Sequence, residues 1–138
     1  MPHIAYYQVL TDNVTLPLSN FSPGAEESPN SQRVQWNPAN DIKLDNDGSK
    51  RPVLCYQVDL ENANGFTLRV QIRDPQGADR TISTFSFDGN TTRQFMDPFP
   101  SQWVGKGNNK IFFRKLSGNG SGGVIIRNVM VLYQRFIH

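Results

Sequence analysis

Phe66-Thr67-Leu68-Arg69-Val70-Gln71-Ile72-Arg73 alternates apolar and polar residues without interruption. Successive side chains of a strand point to opposite faces, so this run is a strand with one buried and one solvated side. The same period governs most of the chain. Period two predicts strands over Ala5–Leu10, Val14–Leu18, Arg33–Asn37, Val53–Leu60, Phe66–Arg73, Arg80–Phe87, Thr92–Met96, Lys110–Leu116 and Val124–Ile137. Period 3.6 is almost absent. The best short-helix segment, Gly24–Ser31, contains Pro29.

Turn residues separate the runs. Asn46-Asp47-Gly48, Asp74-Pro75-Gln76-Gly77, Asp88-Gly89 and the glycine-rich Ser117–Gly123 are all suited to reversing the chain. Asn64-Gly65 predicts a tight hairpin between the Val53 and Phe66 strands. The expected fold class is all-β: a jelly-roll antiparallel β-sandwich of about eight to nine strands. With 138 residues it is expected to be a single β-sandwich domain over residues 1–138.

The final strand departs from simple alternation. Val124, Ile126, Met130, Leu132 and Phe136 share one parity, and Ile125, Val129, Val131, Tyr133 and Ile137 the other. Three explanations stand: a strand covered on both sides, a bulge near Arg127-Asn128 that flips the phase, or a face that meets another subunit.

Charge and composition exclude several classes. No run approaches the ~18 apolar residues of a membrane-spanning helix, so no membrane insertion is expected. Met1 leads straight into Pro2, His3 and a strand-like run, with no charged segment followed by an apolar one. No secretory signal is therefore expected, and the compartment stays open. The single Cys55 rules out an internal disulfide and reads as a small, partly buried hydrophobe. Residues 93–138 carry seven basic side chains against Asp97, and residues 1–92 seven basic against eleven acidic. The nearest approach to a basic stripe, Lys106, Lys110, Arg114 and Lys115, is short, and no nucleic-acid partner is expected.

No catalytic residues emerge. His3 and His138 lie at the termini, where an imidazole lacks fixed partners. Most acids sit in turns, where Asp bonds neighbouring backbone N–H groups. Asp59 and Glu61 end a strand and can face a cleft. The segment Asp41–Gly48 fails as an EF-hand loop, because Lys43 falls at its first ligand position and Leu54 at its twelfth. A looser structural calcium on Asp45 and Asp47 is the one metal possibility. No other cofactor is expected.

The segment from Met96 to Asn109 lacks periodicity but holds Phe99 and Trp103 among prolines, amides and a lysine. Aromatic faces stack on sugar C–H faces, and Asn, Gln and Lys bond hydroxyls. Trp103 and Phe99 are the expected stacking residues, with Gln102, Lys106, Asn108 and Asn109 as hydroxyl partners. Trp36, Tyr7 and Tyr6 are second choices. The competing possibility is that Phe99, Trp103 and Trp36 belong to the core, as large aromatics often do.

Asn108-Asn109-Lys110-Ile111-Phe112-Phe113, the glycine-rich Ser117–Gly123 and Ile126-Arg127-Asn128-Val129 together resemble the end of galactose-binding-domain-like jelly rolls of the carbohydrate-binding-module type. The likeness covers roughly the last thirty residues. Arg127 stands where those domains commonly carry Asp. The resemblance implies a non-catalytic, lectin-like module whose partner is a glycan, often with a structural calcium. The alternative is an assembly subunit of capsid, fibre or appendage type, a homo-oligomer whose apolar final strand lies at the interface.

Overall fold

The computed structural model describes residues 3–17, 31–38, 51–119 and 123–136. Asp45 and Asp47, the turn between them, His138 and most of Gly24–Ser31 lie outside the described residues, as does the side chain of Tyr6. Six strands follow in order: β1 (His3–Pro17), β2 (Ser31–Trp36), β3 (Val53–Arg73), β4 (Asp79–Pro98), β5 (Asn109–Asn119) and β6 (Gly123–Phe136). A single 3-10 turn, Ser101–Trp103, lies between β4 and β5.

The pairing register folds these six strands into two four-stranded antiparallel layers. In the first, β1 pairs with β6, β6 with Val53–Leu60 of β3, and that half of β3 with the end of β4. In the second, β2 pairs with β5, β5 with Thr67–Arg73 of β3, and that half with the beginning of β4. Both β3 and β4 therefore run through both layers, and each supplies two of the eight strand segments.

Asn64-Gly65 consequently makes no hairpin. β3 continues through it, and its ladder with β4 slips between Leu60 and Ala63 and again between Ala63 and Phe66. Gly65 adopts φ 64°, a left-handed conformation that bends the strand where it passes from one layer to the other. Asp88-Gly89 likewise reverses nothing, since Gly89 pairs with Ala63 within the same ribbon. The two strands expected before residue 18 are also one, β1, with a bulge between Val9 and Thr11. At Asn64-Gly65 and Asp88-Gly89 a local turn signal is used as an irregularity inside a long strand.

The expected turn at Asp74-Pro75-Gln76-Gly77 does join β3 to β4. The Asp74 carboxylate accepts the backbone N–H groups of Gln76 at 2.9 Å and Ala78 at 3.1 Å. Gly77 supplies the φ of 95° that closes the turn.

The parity question in β6 has a clear answer. Asn128 sits at φ 56°, and the β3–β6 ladder slips there, Cys55 facing Met130 while Gln57 faces Arg127. Buried positions change accordingly from Val124 and Ile126 to Val129, Val131 and Tyr133. The bulge keeps the core face continuous and turns Ile125, Met130 and Leu132 outward.

Ring contacts between the layers show them packed face to face. Tyr56 of the first layer meets Phe113 of the second at 5.5 Å, and Trp36 meets Tyr133 at 5.8 Å. Where the β3–β4 ribbon folds back, Phe85 and Phe95 lie 4.3 Å apart. Polar groups span the same edge: Tyr56 donates its hydroxyl to Asp97 at 2.7 Å, and Ser83 donates to the same oxygen at 3.0 Å. Burial above all holds the Tyr56 phenol far above its ordinary range, so it stays a neutral donor.

Candidate functional site

The loop after β4 is anchored before it is anything else. Phe99 donates its N–H to the Pro52 carbonyl at 3.0 Å and turns its ring inward, edge-on to Trp36 at 6.2 Å. Phe99 is 1% and Trp36 0% exposed. The expectation that these two rings stack on a ligand is thus corrected: both close the end of the sandwich, where an apolar ring is worth more out of water.

Asn109 is corrected in the same way. Its side chain is buried and fully engaged, accepting from Gly105 N–H at 2.9 Å and donating to the carbonyls of Gly105 at 2.9 Å and Gly107 at 3.3 Å. A longer contact reaches the Trp36 carbonyl at 3.4 Å. Asn109 is a staple for the loop, and its fully buried amide is out of reach of a sugar hydroxyl.

The other expected residues keep open positions. Gln102, Lys106 and Asn108 are exposed, and Trp103 is half-buried against the core. Tyr7 is 61% exposed but stands on the outer side of the first layer. It does not line the cleft beside the loop.

Asn108 opens into a cleft of about 550 Å³, lined also by Gln35, Arg73, Asp74, Pro75, Gly77 and Lys110. The cleft forms because the loop leans on the β3–β4 turn. A Cβ on Gly105 would stand 2.5 Å from the Pro75 ring, so only glycine permits that approach. Amide, guanidinium, ammonium and carboxylate groups thus surround a proline ring on the outer side of the second layer.

The cleft continues onto that outer face. Arg69, Gln71 and Arg73 point outward from β3, opposite Arg114, Phe112 and Lys110 of β5. Phe112 is fully buried although it lies outside the sandwich core, and the guanidinium groups of Arg73 and Arg114 stand over its ring at 4.7 and 4.5 Å. Asp79 grips Arg73 through two bonds of 2.6 and 3.0 Å, and the bond from Arg73 holds its carboxyl below the usual range. Sequence reading missed Gln35, Arg73, Asp74 and Pro75. The outward arginines of β3 were visible in the alternation, but their neighbours across the sheet were not.

Acid–base and nucleophilic chemistry find little support. Burial, and secondarily Asp97, push the Cys55 thiol up, away from a reactive thiolate. Asp59 is occupied by Gln57 at 3.0 Å and Arg127 at 2.8 Å, which hold its carboxyl low. Arg127, the departure from the resembled pattern, thereby has a local partner on β3. Among the described residues no three His, Cys, Asp or Glu side chains gather to hold a metal.

No protein-family model matches the sequence, and no curated protein matches it. Solved structures do match. A carbohydrate-binding module of family 29 superposes with a TM-score of 0.52 at 12% identity, covering 95% of this chain and 89% of that one. A variant of such a module gives a TM-score of 0.51 at 15% identity, covering 95% and 92%. A variant in complex with mannohexaose gives 0.51 at 12% identity with the same coverage. The fold is a carbohydrate-binding-module-type jelly roll, all-β and in two layers.

Proposed function

We propose that the protein is a non-catalytic glycan-binding module that holds its ligand in the cleft between the loop after β4 and the β3–β4 turn. The observation that carries this reading is the cleft itself. It offers hydrogen-bonding groups of both kinds, Gln35 and Asn108 amides, Arg73 and Lys110 cations and the Asp74 carboxylate, beside the apolar Pro75. The fold it shares with family 29 modules supports the same reading. Gln102, Lys106 and Trp103 flank the site as further contacts.

Titration with a panel of mono- and oligosaccharides, followed by tryptophan fluorescence, tests it. Trp36 is sealed in the core, so a change reports on Trp103. A saturable shift is expected for one sugar class, with at least tenfold weaker binding in Asn108→Ala at unchanged thermal stability. No response to any sugar, by fluorescence and by calorimetry, removes the reading.

A second reading has its own observation. Tyr7, Val9 and Met96 are 61%, 51% and 61% exposed on the outer side of the first layer, beside the outward Met130 and Leu132 of β6. An exposed apolar sheet face suits self-association into an assembly. Light scattering should then show an oligomer that Val9→Lys with Met96→Lys converts to monomer. A monomer at all concentrations of the unaltered protein rejects this reading.

A further inference from the structure

Three sulfur-bearing side chains stand in one row across the first layer. Cys55 of β3 lies directly opposite Met96 of β4 on one side and Met130 of β6 on the other. Residues directly opposite in an antiparallel ladder share a face, with Cα atoms about 4.5–5.5 Å apart. The chain has one Cys and three Met, and one of these is Met1. Both other methionines therefore flank the single cysteine, each from a different strand.

The row lies on the outer face. Leu54 and Tyr56, the chain neighbours of Cys55, turn inward with 0% exposure, and Cys55 is outside the core cluster between the layers. Its thiol is free and 5% exposed, whereas Met96 is 61% exposed and Met130 half-buried. A methionine has three rotatable bonds and a polarizable thioether, so Met96 and Met130 can each swing a sulfur over the thiol between them. The surroundings are apolar on one side. Val9 extends the row beyond Met130, and Tyr7, Leu132, Val53 and Pro98 form the next.

We propose that this row binds a soft monovalent cation, copper(I), through the Cys55 thiolate and the thioethers of Met96 and Met130. Thiolate and thioether donors together select copper(I), whereas zinc takes thiolate, imidazole and carboxylate groups. Charge leads to the same ion. On binding, the Cys55 S–H bond breaks, the proton leaves to solvent, and the sulfur donates its electron pair to the metal. One thiolate and one monovalent cation cancel, so the complex carries no net charge into the apolar face. A divalent ion would leave a positive charge beside Val9 and Leu132, where desolvation penalises it. The site is independent of glycan binding, since the row is on the first layer and the cleft on the second.

The test is an anaerobic titration of the whole chain with copper(I), supplied as its acetonitrile complex in competition with a chromophoric copper(I) chelator. Binding of one copper(I) per chain is expected, with a thiolate-to-copper absorption band in the near ultraviolet and a raised melting temperature. Zinc(II) should give neither. Met96→Leu with Met130→Leu keeps the apolar volume and removes both thioethers. This variant should bind copper(I) at least tenfold more weakly, at an unchanged melting temperature without metal. Cys55→Ala should lose the absorption band, and it sets the background from the rest of the chain, His3 and His138 included. Equal affinity in the double methionine variant means that the thiol binds alone, which overturns the site. Copper(I) held no more tightly by the unaltered chain than by Cys55→Ala overturns it as well. Zinc(II) bound as tightly as copper(I) overturns the soft cation. One copper(I) per two chains places the metal between copies and overturns a site complete in one chain. If Cys55→Ala fails to fold, the double methionine variant decides the matter alone.

Discussion

Trp36→Ala is expected to lower the unfolding free energy by about 3–5 kcal/mol, the cost of deleting a large buried ring and leaving a cavity. Trp36 has no exposed surface, and it touches both Phe99 at the loop and Tyr133 on β6. Its loss opens the end of the sandwich where loop and both layers meet. A domain of this size is stable by only about 5–15 kcal/mol, so the variant is close to unfolded at physiological temperature. Trp103→Ala, at a half-buried position, should cost far less, about 1 kcal/mol. Chemical denaturation of the two variants separates them. Equal, small losses would place Trp36 outside the core and reopen it as a stacking residue.

Asn109→Asp is the second large effect and changes only one group of the side chain. The carboxylate can still accept from Gly105 N–H, but it meets the carbonyls of Gly105 and Gly107, to which Asn109 donates, with a negative charge and no proton. An uncompensated buried charge of this kind is expected to cost about 3 kcal/mol or more. The variant's carboxyl should have a raised pKa in the folded state, since the neutral acid can donate where the carboxylate cannot. Its stability deficit is then smallest at acid pH and grows as pH rises through that raised value. Denaturation midpoints at pH 4.5 and 7.5 measure it. A deficit that is the same at both pH values would mean that the amide's donated bonds do not hold the loop. The cleft should loosen with it, because the Gly105 approach to Pro75 depends on the loop that Asn109 staples.

Both variants concern residues that sequence reading counted as ligand contacts. An aromatic or an amide in an aperiodic loop looks the same in sequence whether it faces water or closes a core. Phe99 and Asn109 differ from Asn108 only in what surrounds them: Pro52 and Trp36 for Phe99, three loop backbone groups for Asn109, open space for Asn108.

The turn signals carried a similar ambiguity. Asp74-Pro75-Gln76-Gly77 and Asn64-Gly65 use the same residue types, yet one reverses the chain and the other bends it. The difference lies in which strand the following segment finds. After Gly77, β4 folds back along β3, whereas after Gly65, β3 runs on and exchanges β6 for β5 as its neighbour.

What the sequence determined by itself is the alternation of faces within the strands and an all-β sandwich; the doubly apolar β6 stood open among three explanations until the ladder slip at Asn128 decided it. The alternation follows from period two, which is a local property of the chain. Which strands lie side by side was decided only by the tertiary structure. Arg69 and Arg114 are 45 positions apart in the sequence and opposite one another in the sheet. The excess positive charge counted in residues 93–138 gave no hint that Arg69 and Arg73 of the acidic portion stand opposite Arg114 and Lys110. Cross-strand pairing is set by how the whole core packs, and a charged surface exists only once that packing has brought its members together.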